Sequence, residues 1–211
     1  MASHSLPVKI VLATRNRHKA REIADLLVRK VLTLDEVGFA GEVEETGSTF
    51  EANARLKARA VAHWLRGKAG EPTLVVADDS GLEVDALHGV PGVLSARYAG
   101  APCDDAANNT KVIENLRGVP ISRRGAQFRC VLVVEIAGGP RDGETRVFEG
   151  IVRGRLGFHP KGKRGFGYDP LFFPNGHCRT TAEMSAKEKN AISHRGAAVR
   201  ALRAWLAQRS P

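Results

Sequence analysis

Val75-Val76-Ala77-Asp78-Asp79-Ser80-Gly81 is the stretch on which the reading of this chain turns. A short apolar run ends in two carboxylates, a hydroxyl and a glycine. Leu74 to Ala77 is too short for a helix, and its β-branched valines favour a strand, expected over 73–77. Such a strand delivers Asp78 and Asp79 to the point where the backbone leaves the core, and α/β sheets place their ligands there. Alternation along an extended backbone sends the two carboxylates in different directions. One can therefore hold a metal while the other serves a second role. An Asx turn closing the strand is the competing reading of the same four residues.

On the N-terminal side, Val8 to Ala13 reads as a first strand running into Thr14-Arg15-Asn16-Arg17-His18-Lys19. Ala20, Ile23, Leu26 and Leu27 then recur at helical spacing. The opening N–H groups of such a helix can receive phosphate, and Lys19 adds a full charge. The loop lacks the glycines and the Gly-Lys-Ser/Thr ending of a Walker A motif, and taken alone such a loop with a lysine is more often a solvated helix cap than a phosphate site. Glu44-Glu45-Thr46-Gly47 reads as a turn. Ser48 and Glu51 have capping-box spacing, opening a helix from about Thr49 to Arg66. Asn53 and Lys57 share one face of it.

On the C-terminal side, Gly89 to Gly100 is turn-rich, and Asp104 or Asp105 starts a helix that runs to Arg117 with Gly118 as its stop. Gln127 to Ala137 and Thr145 to Leu156 flank the turn cluster 138–143 and predict an antiparallel hairpin, in a lobe distinct from the first. Gly150 and Gly154 suggest bulges or bends in its second strand. Gly165-Phe166-Gly167-Tyr168-Asp169-Pro170 sets an aromatic ring between glycines, suited to a flat ligand or to a packed turn. Thr180 with Glu183 and Ser185 with Glu188 have capping-box spacing, and a last helix is expected over 187–208, with His194 and Arg195 near its first turns.

The chain has 211 residues, enough for one domain or two small lobes, and a formal charge of +9. That balance suits phosphorylated small molecules, nucleic acid or anionic membrane alike. Eight phenylalanines, two tyrosines and two tryptophans make a poor stacking platform for single-stranded nucleic acid. Three scattered cysteines signal neither a disulfide framework nor a zinc site. No signal peptide or membrane-spanning stretch is read, so a cytoplasmic protein is expected.

Six blocks occur in the order and spacing of one family: Thr14-Arg15-Asn16…Lys19; Glu44-Glu45-Thr46-Gly47…Thr49-Phe50…Asn53-Ala54…Lys57-Ala58; Ala77 to Leu82; Pro91-Gly92…Ser95-Ala96-Arg97-Tyr98; Gly165 to Pro170; and Ala191 to Gly196. Over about residues 8–207 the sequence resembles the inosine triphosphate pyrophosphatase family, the RdgB-like house-cleaning enzymes. Arg15 and Arg17-His18 depart from it, at positions often small in relatives.

The resemblance implies an elongated two-lobed α/β fold. It implies too that a long central mixed sheet is flanked by helices, that residues 1–211 form a single domain, and that the active-site cleft lies between the lobes. It implies hydrolysis of dITP, ITP and XTP to monophosphate and pyrophosphate, dependence on Mg²⁺, and a homodimer with no stable nucleic-acid or membrane partner. Asp79 becomes the metal-associated carboxylate and proton acceptor, with Glu45 helping to hold the metal and Asp78 orienting water or metal. Lys19 and Lys57 meet phosphate oxygens within a substrate-binding stretch of Thr14, Arg15, Asn16, Arg17, His18 and Lys19, and Ser80 adds a contact. Phe166 stacks on the purine. The backbone of Phe166, Gly167, Tyr168 and Asp169, with His194 and Arg195, is expected to contact its polar edge, and the resemblance adds Lys189 as a further substrate contact. A Maf-type nucleotide pyrophosphatase shares this chemistry with other bases, and the blocks at 165–169 and 193–195 argue against it. A basic nucleic-acid-binding module would leave Asp78-Asp79 and Glu44-Glu45 unexplained.

Overall fold

The computed structural model describes residues 9–66, 68 and 70–208. Val8, expected to open the first strand, lies outside the described residues, as do Gly67 and Ala69 of the loop expected after Arg66. Among the described residues, five strands form one mixed sheet in the order β1-β2-β3-β4-β5: Lys9–Leu12, Thr73–Val84, Gly125–Ala137, Thr145–Leu156 and Phe172–Pro174. The helices are α1 (Arg17–Leu27), α2 (Phe50–Arg66), α3 (Asp105–Asn115), α4 (Ala186–Ile192) and α5 (His194–Ala207).

β1 runs parallel to β2, with Val11 opposite Val75 and Leu12 opposite Val76. A parallel pair needs a long crossover, which α1 and α2 supply. β2 does not stop at Ala77 as expected but runs on through Asp78, Asp79, Ser80 and Gly81 to Val84, 12 residues in all. Each disruptive residue is accommodated. Lys19 and Lys57 meet the two aspartates. At Gly81 any Cβ would collide with Ser95 Oγ, which accepts from Leu82 N–H at 2.9 Å and donates to Gly92 O at 2.6 Å. Leu82 and Val84 then return to full burial.

The chain divides into two compact units. The first holds the described residues up to Asp79, Val131–Glu149 and the described residues from Ala198 onward; the second holds Ser80–Cys130 and Gly150–Ala197. The hairpin expected in one lobe is instead shared: the middle of the β3–β4 hairpin, around its turn, belongs to the first unit, and the outer parts of both strands to the second. The core of the second unit gathers Leu82, Val84, Val112, Leu116, Ala126, Phe128, Leu156, Tyr168, Leu171 and Phe172. Gly154, read as a bend, is a point of close approach, where a side chain would strike Phe173 O across the β4–β5 pair.

Two expectations about helices change. Thr49, not Ser48, caps α2, its hydroxyl accepting from Ala52 N–H at 3.1 Å. The single last helix is two helices. Ser193 is extended (φ −70°, ψ 156°), closes α4 by donating its N–H to Lys189 O, and caps α5 by accepting Gly196 N–H on Oγ at 3.0 Å. A serine whose hydroxyl captures a free N–H starts a new helix instead of continuing the old one. The boxes at Thr180/Glu183 and Ser185/Glu188 both form.

Arg124 anchors the second unit. It is 2 % exposed, and its guanidinium donates to Val119 O (3.0 Å), Gly157 O (2.9 Å) and Leu116 O (2.8 Å). Its charge lies 4.2 Å from the Phe158 ring centroid. Burial holds its pKa below the ordinary arginine value. Losing three charge-assisted bonds is expected to cost Arg124→Ala about 3 kcal/mol or more. Lysine cannot reproduce the fork, so Arg124→Lys should recover little of it. Denaturant unfolding of both variants measures this, and a lysine variant as stable as wild type would dismiss the fork.

Candidate active site

The first unit carries a cluster of buried charge. β2 places Asp78 and Asp79 side by side, 1 % and 5 % exposed. Lys19 Nζ, from the first turn of α1, lies 2.7 Å from Asp78 Oδ1. Lys57 Nζ, from the middle of α2, lies 3.3 Å from Asp79 Oδ1 and 2.7 Å from Glu45 Oε1. The two aspartates therefore meet different partners, as alternation predicts. Glu45 is held in reach by Asn53, one turn before Lys57 on α2. Asn53 is fully buried, and its Oδ1 accepts Gly47 N–H at 2.7 Å. Asn53 is a brace that sequence reading placed on the right face without giving it a task. An asparagine inside an alanine-rich helix was the available signal.

Three carboxylates share two lysines here, and the titration behaviour follows. Burial raises the Asp79 carboxyl above its ordinary value; Lys57 and Lys19 oppose the rise, and Glu45 and Asp78 add to it. Burial alone would lower Lys57, but Asp79, Glu45 and Asp78 together outweigh it and the net shift is upward. The Asp79 shift is thus set first by burial and the Lys57 shift by the carboxylates around it. Asp79 Oδ2 is buried with no hydrogen-bond partner. A buried unpartnered acceptor next to a second carboxylate is a hard-oxygen donor set that suits a small divalent cation. Among the described residues no three His, Cys, Asp or Glu side chains converge on one metal, so water and ligand oxygens would complete the shell.

The loop before α1 is bound up in structure. Asn16 Oδ1 accepts from His18 and Lys19 N–H, both at 3.0 Å, so those two amides, expected to receive phosphate, are already spent on the cap. Thr14 Oγ1 accepts Asn16 N–H at 3.1 Å. Arg15 reaches away to Phe39 O (3.1 Å) and Gly41 O (3.0 Å) and straps the 35–41 segment. Arg17 and His18 are exposed.

The second unit carries a cation–aromatic cluster. Phe166 is half-buried, with Lys189 Nζ 4.9 Å and Arg195 Cζ 5.7 Å from its ring centroid. Arg195 is 1 % exposed and donates to Ser80 Oγ at 2.8 Å. His194 stacks on Phe128, centroids 4.9 Å apart and planes 11° apart. Asp169 and Tyr168 turn inward. Asp169 accepts from Phe166 N–H (2.9 Å), Thr181 Oγ1 (2.9 Å) and Lys189 Nζ. Tyr168 donates its hydroxyl to Ser95 O at 2.8 Å, and burial, with Tyr98 and Asp105 nearby, pushes its phenol well up, keeping it neutral. The N–H groups of Phe166, Gly167 and Asp169 are all used inside the unit. Recognition of a ligand's polar edge here falls mainly to side chains.

These features define a class: a mixed α/β protein with an acid–lysine cluster suited to phosphate chemistry and an aromatic–cation cluster suited to a flat ring. A model described as the Ham1 family matches residues 10–205, and the chain belongs to that family. It is 46 % identical over 195 residues to a protein of Bacillus subtilis named dITP/XTP pyrophosphatase, covering 91 % of this chain and 93 % of that one. A protein of the same name from Exiguobacterium sibiricum is 47 % identical over 202 residues, covering 94 % and 97 %. Among solved structures, the Ham1 protein of Staphylococcus aureus superposes with a TM-score of 0.81 at 42 % identity, covering 95 % of this chain and 98 % of that one.

The Asp79 charge costs the folded state stability at pH values above its raised pKa, and the cost fades as the carboxyl takes up a proton at lower pH. Without divalent cations, Asp79→Asn is therefore expected to melt above wild type at mildly alkaline pH, the gap closing on acidification. Thermal melts in chelator check the sign. A variant melting lower would mean that the Lys57 contact outweighs burial.

Proposed function

We propose that this protein hydrolyses non-standard purine nucleoside triphosphates, dITP or ITP and XTP, to the monophosphate and pyrophosphate. The observation that carries the reading is Asp79: a buried carboxylate with one oxygen unpartnered, beside a lysine and a second carboxylate. The names borne by relatives at this level of identity and coverage support the substrate class. Family membership also speaks against a Maf-type enzyme.

Asp79 and Glu45 would hold Mg²⁺, which when bound neutralises phosphate charge and lowers the pKa of a coordinated water. The chain's own residues do the rest. Asp79 accepts the proton of the attacking water. Lys57 is shared with Asp79 and Glu45 and turns its charge toward phosphate oxygens; Lys19 does the same from α1 while holding Asp78 in place. Phe166 stacks on the base. Arg195 and Lys189 present N–H donors to the 6-keto oxygen, which hypoxanthine and xanthine have and adenine lacks. Ser80 orients the Arg195 guanidinium. Among the described residues no helix is long and apolar enough to cross a membrane. The reading extends to a cytoplasmic homodimer without nucleic-acid partners, a state that light scattering of the purified protein tests.

One substrate panel tests the assignment. With Mg²⁺, ITP should yield IMP and pyrophosphate in equal amounts and no accumulating IDP. Asp79→Asn should lose at least about a hundredfold in turnover while staying folded. IDP and orthophosphate as first products would place attack at the γ-phosphorus and sink the reading. Arg195→Ala addresses the base. A site built to hydrogen-bond a group rejects an analogue lacking it by roughly 10⁴-fold, so kcat/KM should fall far more for ITP than for ATP. Equal losses for both would assign Arg195 to phosphate instead.

A further inference from the structure

Gly167 follows the ring that the proposed function places on the base, and both its peptide groups are held from one helix. Asp105 Oδ2 accepts Gly167 N–H at 2.6 Å. Asn109, one turn further along α3, donates Nδ2 to Gly167 O at 2.8 Å and to Asp105 O at 2.7 Å. The Asn109 amide is 6 % exposed and bridges helix and loop. Gly167 has φ +61°, and a side chain there would meet nothing within 4 Å. Its glycine therefore serves conformation, not space. A glycine explores both signs of φ freely, so without the two α3 contacts this peptide would have many states and Phe166 no fixed plane.

We propose that Asp105 and Asn109 are positioning residues for base selectivity: they lock Gly167 and so set the Phe166 ring against Lys189 and Arg195. The inference rests on the reading of this cluster as the purine site. Neither residue belongs to the acid–lysine cluster. Asp105 can be changed without uncapping α3, because the cap is Asp104, whose Oδ1 accepts Ala107 N–H at 2.7 Å. The carboxylate contact is charge-assisted and so the stronger of the two tethers. An asparagine at 105 keeps an acceptor oxygen in the same place and should hold the loop in part.

The test uses full-length wild type, Asp105→Ala, Asp105→Asn and Asn109→Ala. Calorimetry gives Kd for IMP, AMP and pyrophosphate, and kinetics give kcat/KM for ITP and ATP. Asp105→Ala should weaken IMP roughly tenfold or more, the scale expected when a recognition group drifts by a fraction of an ångström to an ångström. Pyrophosphate should bind as in wild type, and the ITP-to-ATP ratio should fall. Asp105→Asn should recover part of the loss, and Asn109→Ala should follow Asp105→Ala if it folds. Equal weakening of IMP and pyrophosphate, or an unchanged ITP-to-ATP ratio in Asp105→Ala, overturns the proposal. If wild type itself does not prefer IMP to AMP, the purine-site reading falls and takes this proposal with it. If wild type discriminates and the Asp105 variants do so equally well, the positioning role alone is refuted.

Discussion

Carrying two adjacent carboxylates inside a strand is possible only because two lysines come to meet them. Asp78 and Asp79 are nearly inaccessible to water, and an isolated buried charge of this kind would neutralise itself or disrupt the strand. Lys19 and Lys57 arrive from different helices, so the position of α1 and of α2 is coupled to the charge on β2. The compensation is incomplete, because Glu45 also leans on Lys57. A fold optimised for stability alone would have removed one acid. Keeping all three stores unfavourable electrostatics that a bound cation can relieve, and burial strengthens any such interaction.

Aspartate appears in the molecule in two opposed roles that environment alone separates. Asp79 has one oxygen without a partner and a pKa pushed upward, which suits it to exchange a proton. Asp169 has its oxygens filled by Thr181, Lys189 and the Phe166 amide, and works as a fastener. Pairs of like groups driven apart by their surroundings are how one fold assigns chemical tasks. The same contrast holds for the basic residues: Arg124 fastens three carbonyls, whereas Arg195 sits by an aromatic ring and a strand hydroxyl.

Periodicity made most elements legible. α2, α3 and the β3–β4 hairpin stand within a residue or two of where apolar spacing and turn residues put them. Two features escaped because local rules point the wrong way. β2 contains Asp-Asp-Ser-Gly, a turn signature, yet remains extended because distant Lys19, Lys57 and Ser95 supply what the backbone and carboxylates need. Ser193 sits inside a continuous helical pattern, and only the hydroxyl's choice of Gly196 N–H over solvent breaks it. For the site, the residues alone pointed to Asp78 and Asp79, and the family resemblance added Glu45, Lys19 and Lys57, whose charged groups the geometry brings to these carboxylates. The sequence could not reveal that Thr14, Arg15 and Asn16 would be consumed by capping and strapping. Nor could it show that the N–H groups of Phe166, Gly167 and Asp169 would be occupied, because the acceptor for Gly167, Asp105, lies far off in the chain, and Asp169, which takes Phe166 N–H, is turned inward by the equally distant Thr181 and Lys189.

Gly165 carries a consequence for the gene. Its φ is +76°, and any Cβ there would fall far inside van der Waals contact with Asp169 Oδ2, the oxygen that already holds Phe166 N–H and Lys189. Every amino acid reachable from a glycine codon by one nucleotide change brings that carbon. Every one-step replacement therefore strains the backbone and displaces the Asp169 carboxylate, however small the new residue. Random mutagenesis should return codon 165 silent or inactive, with little between. The exposed side chains of Lys161 and Lys163 should vary more freely, whereas Gly162 between them, whose Cβ would strike the Ala182 backbone, should not, so that tolerance alternates from codon to codon.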